Sequence, residues 1–246
     1  MQLDEKWSFV PKKEKNCDPL DEDDLMAGDQ WDFVALDPDS RLVLSVFVGK
    51  RLADNAEVLL QDVKSRLAGA PELISSDEWP GYPEVIREIF GEEVTPPRTG
   101  KPGRPAGPRK EIPEGLNYAT VHKKREKGRV VEVVTAVVRG ALAAVLALLG
   151  GGKINTSYIE RHNGTDRHRN ARKGRKTYRF SKDFQAHESM TYFTMYSYNF
   201  CWPVRTLRKK IGHRRYQPRT PAMVAGLTDH VWSLSEWIAF PACQHS

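Results

Sequence analysis

Asp4, Asp77 and Glu160 are three carboxylates whose local sequence suits phosphate chemistry. Breaking or joining a phosphodiester bond needs charge neutralised around an in-line transition state. Two Mg²⁺ ions about 3.5–4 Å apart do this, one activating the nucleophile and one the leaving oxygen. Mg²⁺ prefers oxygen ligands and keeps several waters, so a few carboxylates from different elements suffice. Asp4 lies in LDEKWSFV, Asp77 ends ELISSD, and Glu160 follows INTSYI just ahead of a strongly basic run. Each acid also has an ordinary use. Asp4 could be an exposed strand residue, Asp77 a cap for the next helix, and Glu160 the partner of Ser157 in a capping box. Spacing alone does not choose.

The elements that must hold these acids are readable from periodicity. In LDEKWSFV, Leu3, Glu5, Trp7 and Phe9 alternate with Asp4, Lys6, Ser8 and Val10, which reads as a strand. QWDFVALDPDSRLVLSVFVGKR reads as two strands joined by a turn at Pro38-Asp39-Ser40. ADNAEVLLQDVKSRLAG reads as a helix with Val58, Leu59, Val63 and Leu67 inward, ended by Gly69. A short strand up to Asp77 and a helix, GYPEVIREIFG, follow. NYATVHKKREKGRVVEVVTAVV reads as a strand pair around Lys127-Gly128, and ALAAVLALLGGG as a helix. A helix opens at Ser157 with Glu160 in its first turn, and SKDFQAHESMTYFTMYSYNFCW makes another, its aromatic stripe facing the core. The order implies an α/β domain with its first three strands antiparallel and later ones joined by crossovers. Alternation puts Glu5 and Glu78 on the faces opposite their acidic neighbours.

Composition narrows the partner. Residues 1–94 carry 10 Lys/Arg against 22 Asp/Glu, whereas residues 95–246 carry 28 against 10. A basic half of that strength suits a polyanion, above all nucleic acid. Three widely spaced cysteines offer no disulfide framework, and the spacing of His162 and His168 does not suit a zinc site. The apolar stretch Ala136 to Leu149 is too short for a membrane span, and MQLDEKWSFV lacks a signal-peptide layout, so a cytoplasmic, nucleoid-associated location is expected.

LDEKWSFV, ISSDEWPGY, INTSYIERHNGTDRHRNARKGRKTYRFSK, MTYFTMYSYNF and the closing GLTDHVWSL together resemble the successive blocks of bacterial DDE-type insertion-sequence transposases, closest to the insertion-sequence-one group. The similarity covers nearly the whole chain and is weakest over residues 95–115. It implies an RNase H-like mixed sheet flanked by helices, with a basic loop and an extra strand inserted before the last catalytic helix. It implies that Asp4, Asp77 and Glu160 form the catalytic triad and hold two Mg²⁺ ions, with Mn²⁺ able to substitute. Those ions would serve cleavage at the transposon end and then strand transfer into target DNA. Arg167, two helical turns after Glu160, and Asn163 at i+3 share its helix face. With Arg161, Arg169, Arg172, Lys173, Arg175 and Lys176 they are the expected DNA contacts.

The implied organisation is residues 1–94 for the first part of the catalytic domain, 95–116 for a basic Pro/Gly-rich loop, 117–210 for the remainder, and 211–246 for a C-terminal tail. Family members act as multimers on paired ends and carry a DNA-binding module before the catalytic domain. Asp4 stands almost at the start here, so the module is expected from an upstream reading frame, or the chain is a catalytic fragment. Asp77 and Glu160 are 83 positions apart, wider than in many DDE recombinases. Two rivals share the sequence features: an RNase H-like nuclease without strand transfer, and an inactive DNA-binding remnant.

Overall fold

A computed structural model describes residues 1–96 and 107–241. The chain opens with β1 (Gln2–Val10), β2 (Gly28–Leu36) and β3 (Val43–Gly49), then α1 (Ala53–Arg66), β4 (Leu73–Ser76) and α2 (Tyr82–Phe90). A small pair, β5 (Glu92–Val94) and β6 (Arg109–Glu111), precedes the long strands β7 (Asn117–Glu126) and β8 (Arg129–Arg139). Then come α3 (Leu142–Leu148), α4 (Ser157–Arg169), α5 (Phe184–Cys201), β9 (Lys209–Gly212), β10 (Arg215–Gln217), α6 (Pro221–Val224) and α7 (Leu234–Ala239).

Six strands form one mixed sheet in the order β3-β2-β1-β4-β7-β8. The first three are antiparallel neighbours, β4 is parallel to both β1 and β7, and β8 returns antiparallel to β7. Parallel neighbours need crossovers. α1 carries the chain from β3 to β4, and α2 lies between β4 and β7. The hairpin between β7 and β8 turns at Lys127 and Gly128, both at positive φ (48° and 80°), the geometry that matches strand twist in a two-residue turn.

Alternation along β1 and β2 splits the core. Leu3, Phe33 and Ala35 face α1 and α2 together with Ile74 and Tyr118. Val34, Leu36, Val43 and Val46 face Ile159 of α4 and Met195 and Tyr198 of α5. The catalytic-domain strands expected in residues 1–94 and 117–210 therefore share one sheet, with helices on both faces.

Three expectations change. On α1 the buried positions are Ala56, Leu59, Leu60 and Val63, and Val58 is exposed, because Leu60 continues the helical stripe from Ala56. The segment 95–116 is not wholly loop. Residues 97–106 of it lie outside the described residues, but Arg109–Glu111 pairs with β5, setting Lys110 opposite Glu93, and Leu116 is buried. An unexpected ribbon, β9 with β10, crosses the boundary expected between residues 210 and 211. No helix among the described residues is long and apolar enough to cross a membrane.

Candidate active site

Asp4, Asp77 and Glu160 line one cleft of about 840 Å³. Strand register explains the meeting. β1 and β4 run parallel with Gln2 beside Ser75, so two steps along each strand bring Asp4 alongside Asp77. β7 pairs with β4 in the same sense and runs beyond its end, so Val121, His122 and Lys123 wall the cleft. The third acid arrives on α4. The Gln2 side chain fixes that helix: its Oε1 accepts from the Ile159 amide at 3.0 Å, and its Nε2 donates to the Asn155 carbonyl at 2.7 Å.

The helix start differs from the capping box expected at Ser157. The N-cap is Thr156, and Ser157 is already helical. The Thr156 hydroxyl donates to Glu160 Oε1 at 2.6 Å instead of capping the backbone. The same carboxylate oxygen pairs with the Lys123 ammonium. Asp77 does not cap α2 either, whose N-cap is Gly81. Its Oδ1 accepts from the Trp79 amide at 3.1 Å, and its Oδ2 lies 3.8 Å from Arg51. Asp4 is half-buried and accepts at Oδ2 from Asn163 Nδ2 at 2.7 Å.

Like charges crowd this cleft. Burial, then the neighbouring Glu5 and Asp77 and more weakly Glu160, push the Asp4 carboxyl up to about 7, against the pull of the Asn163 hydrogen bond. Glu5 is raised by burial and by Asp77, and is held by Tyr82 and by Arg51 at 2.8 Å. It does leave β1 on the face opposite Asp4, yet it borders the cleft, as does Glu78, which pairs with His122 at 2.8 Å. Arg51 lies over the rings of Trp31 and Trp79, at 4.7 and 5.4 Å from their centroids.

Oxygen-only donors from three elements, repelling one another, suit a hard divalent cation. Among the described residues, however, no three Asp, Glu, His or Cys side chains are grouped tightly enough to hold an ion as they stand. Glu160 is engaged with Lys123 and Thr156. The donor chemistry fits; closing the set requires Glu160 to exchange partners.

The expected DNA contacts divide. Arg167 and Arg175 line the cleft. Arg167 is braced by bonds to the carbonyls of Lys173 (3.2 Å) and Trp7 (3.4 Å). Lys176 and Arg161 are exposed, Arg172 is partly so, and Arg161 borders a different groove. Three are engaged within the protein. Asn163 is buried and serves Asp4. Lys173 is buried and paired with Asp32, so its ammonium does not reach solvent. Arg169 folds inward onto the Thr194 carbonyl at 2.7 Å and over Trp202 at 5.0 Å. Gln2, Thr156, Lys123 and Arg51 were missed. Gln2 shares the strand face of Asp4 by alternation, a readable signal, whereas Lys123 joins the site only through parallel register. Comparison of the chain with protein-family models, curated proteins and solved structures finds no match.

Proposed function

We propose that this chain is the catalytic domain of a DDE-type transposase with an RNase H-like fold, cleaving DNA strands and joining the freed ends to target DNA. The observation that carries the reading is the meeting of Asp4, Asp77 and Glu160, from β1, the end of β4 and the start of α4, in one cleft. The transposase-like motifs supply the substrate class.

Asp4, Asp77 and Glu160 would hold the metal ions. Bound Mg²⁺ supplies charge neutralisation and activation of the attacking and leaving oxygens. The protein's own groups do the rest. Asn163 fixes the Asp4 carboxylate by its 2.7 Å bond. Arg167 and Arg175 present positive charge on the α4 side of the cleft for a DNA phosphate, and Arg51 does so beside Asp77. Lys123 balances Glu160 until the carboxylate is recruited.

The test is a strand-transfer reaction with a pre-nicked duplex in Mg²⁺ or Mn²⁺, run beside Glu160→Gln. Joined products from the native chain, reduced by about a thousandfold or more in the variant, support the proposal; loss of a catalytic group commonly costs rate on that scale. Cleavage without joining assigns a nuclease. DNA binding without metal-dependent chemistry assigns a non-catalytic role.

A further inference from the structure

Pro203 to Arg219 holds seven Lys or Arg and no Asp or Glu. It folds as the antiparallel ribbon of β9 and β10, with Tyr216 opposite Lys210 and a register shift beside Arg215. The foot of the ribbon is anchored. The Val204 amide donates to the Arg219 carbonyl at 3.0 Å, and Val204 packs on the core of Val34 and Leu36. Thr220, directly after the ribbon, is fully buried and caps α6. The ribbon is therefore a braced arm.

Among the described residues its cations have no acidic partner, and Arg208 lies over the Tyr216 ring at 4.1 Å from the centroid. Arg208, Lys209, Lys210, Arg214 and Arg215 are exposed, and among the described residues none forms an ion pair. Some other surface cations do: Lys50 with Glu14, Lys110 with Glu88, and Lys124 with Glu132. Uncompensated positive charge on a rigid arm repels itself and is relieved by a polyanion. A groove adjoins the foot of the arm and reaches a face of α4 other than the one turned to the acid cleft. It encloses about 530 Å³ and runs from Arg205, at the foot, past Arg41 and Tyr158 to Arg161. Arg161 directly follows Glu160, so the groove lies along the helix that carries the third acid.

We infer that the β9–β10 ribbon is a second nucleic-acid interface, gripping the phosphate backbone of duplex DNA and passing it along the Arg205–Arg161 groove to α4. A two-stranded ribbon fits a duplex groove, and phosphate contacts by Lys and Arg position DNA without reading sequence. The inference takes its ligand from the proposed function, but not its chemistry.

The experiment measures binding of a fluorescent duplex of about 20 base pairs by anisotropy in EDTA, between about 50 and 200 mM salt. EDTA keeps catalysis out, so failure of the acid cleft appears only in the strand-transfer assay. The variant carries Lys209→Ala, Lys210→Ala, Arg214→Ala and Arg215→Ala. Affinity at low salt is expected to fall at least about tenfold, and the slope of log affinity against log salt by about 2 or more, because each lost phosphate contact removes about 0.9. A second variant, Lys209→Arg with Lys210→Arg, is expected to keep the native slope. Unchanged affinity and slope in the alanine variant would overturn the inference. So would an equal loss in the charge-preserving variant, or a native chain that binds no duplex. Loss of phosphatidylserine-vesicle binding in the alanine variant with duplex binding intact would overturn it in favour of a membrane surface.

Discussion

Glu160 shows how a side chain can have its structural role and its proposed chemistry set against each other. One carboxylate oxygen receives both the Thr156 hydroxyl and the Lys123 ammonium. A metal ion must compete with that ammonium for the same lone pairs. The pair is part-exposed, with 24% of the Lys123 side chain and 39% of the Glu160 side chain open to solvent, so its worth is no more than about 1 kcal/mol. Removing the ammonium while keeping the stem, as Lys123→Met, should therefore tighten Mn²⁺ binding by up to about fivefold in calorimetric titration, since about 1.4 kcal/mol is tenfold. Weaker binding in that variant would mean that Lys123 holds Glu160 in place for the ion instead of displacing it. Asp4 points the same way. Its carboxyl is lifted by burial and negative neighbours, so a cation among them removes repulsion that the metal-free cleft must tolerate.

At the scale of elements, the site depends on α4 being pinned to β1. Gln2 does this with both ends of its amide, and the Ile159 amide it serves is buried. Gln2→Ala leaves that N–H without a partner, which should cost about 1–3 kcal/mol in urea unfolding. It should also weaken Mn²⁺ binding through a displaced Glu160; unchanged stability and unchanged metal affinity would show that Gln2 is dispensable. The same elements show what local pattern reveals. β1 was legible because Leu3 and Glu5 alternate with Asp4 and Lys6, and the two sets do face different cores. The β7–β8 turn was legible from Lys127-Gly128. The cap of α4 was misplaced by one residue because Thr156 and Ser157 are both capping residues, and only packing decides. The β9–β10 ribbon was missed because short, exposed, charged strands carry no apolar alternation. Helix periodicity gives Asn163 a face and the basic run gives Lys173 a charge, whereas the partner of each, Asp4 and Asp32, is set by tertiary structure.

Across the whole molecule, one buried charge network joins the acidic half to the basic half. Lys6 and Asp32 come from β1 and β2, while Asp166, Lys173 and His187 come from α4, the turn after it and α5. Lys6 lies 3.1 Å from Asp32 and also pairs with Asp166, and Lys173 pairs with Asp32. Burial opposes the charge on Asp32, but Lys173 and Lys6 outweigh it and hold the carboxyl at about 2. His187 sits among Lys173 (3.1 Å), Ser8 (3.2 Å) and Ser181 (2.9 Å), with Asp32 at 4.0 Å. Burial, then the positive charge of Lys173, outweigh Asp32 and lower the imidazole to about 4. Two cations already face two anions there, and a third cation would unbalance them. Between about 6.5, the unfolded value, and 4, the unfolded chain takes up a proton at this position that the folded chain refuses. Stability is then fully present above about pH 6.5 and falls on acidification through that window. His187 should contribute about 2 kcal/mol of the loss between pH 7 and pH 5. His162, lowered to about 3 by burial, adds a loss of the same sign, so the variant's difference from the native chain is the quantity to read. Guanidinium unfolding of His187→Gln at both pH values should show a pH dependence shallower by about 2 kcal/mol than that of the native chain, whatever its stability at pH 7. An unchanged pH dependence would mean that protonated His187 is accommodated, and that the network joining the two halves is not sensitive to its charge.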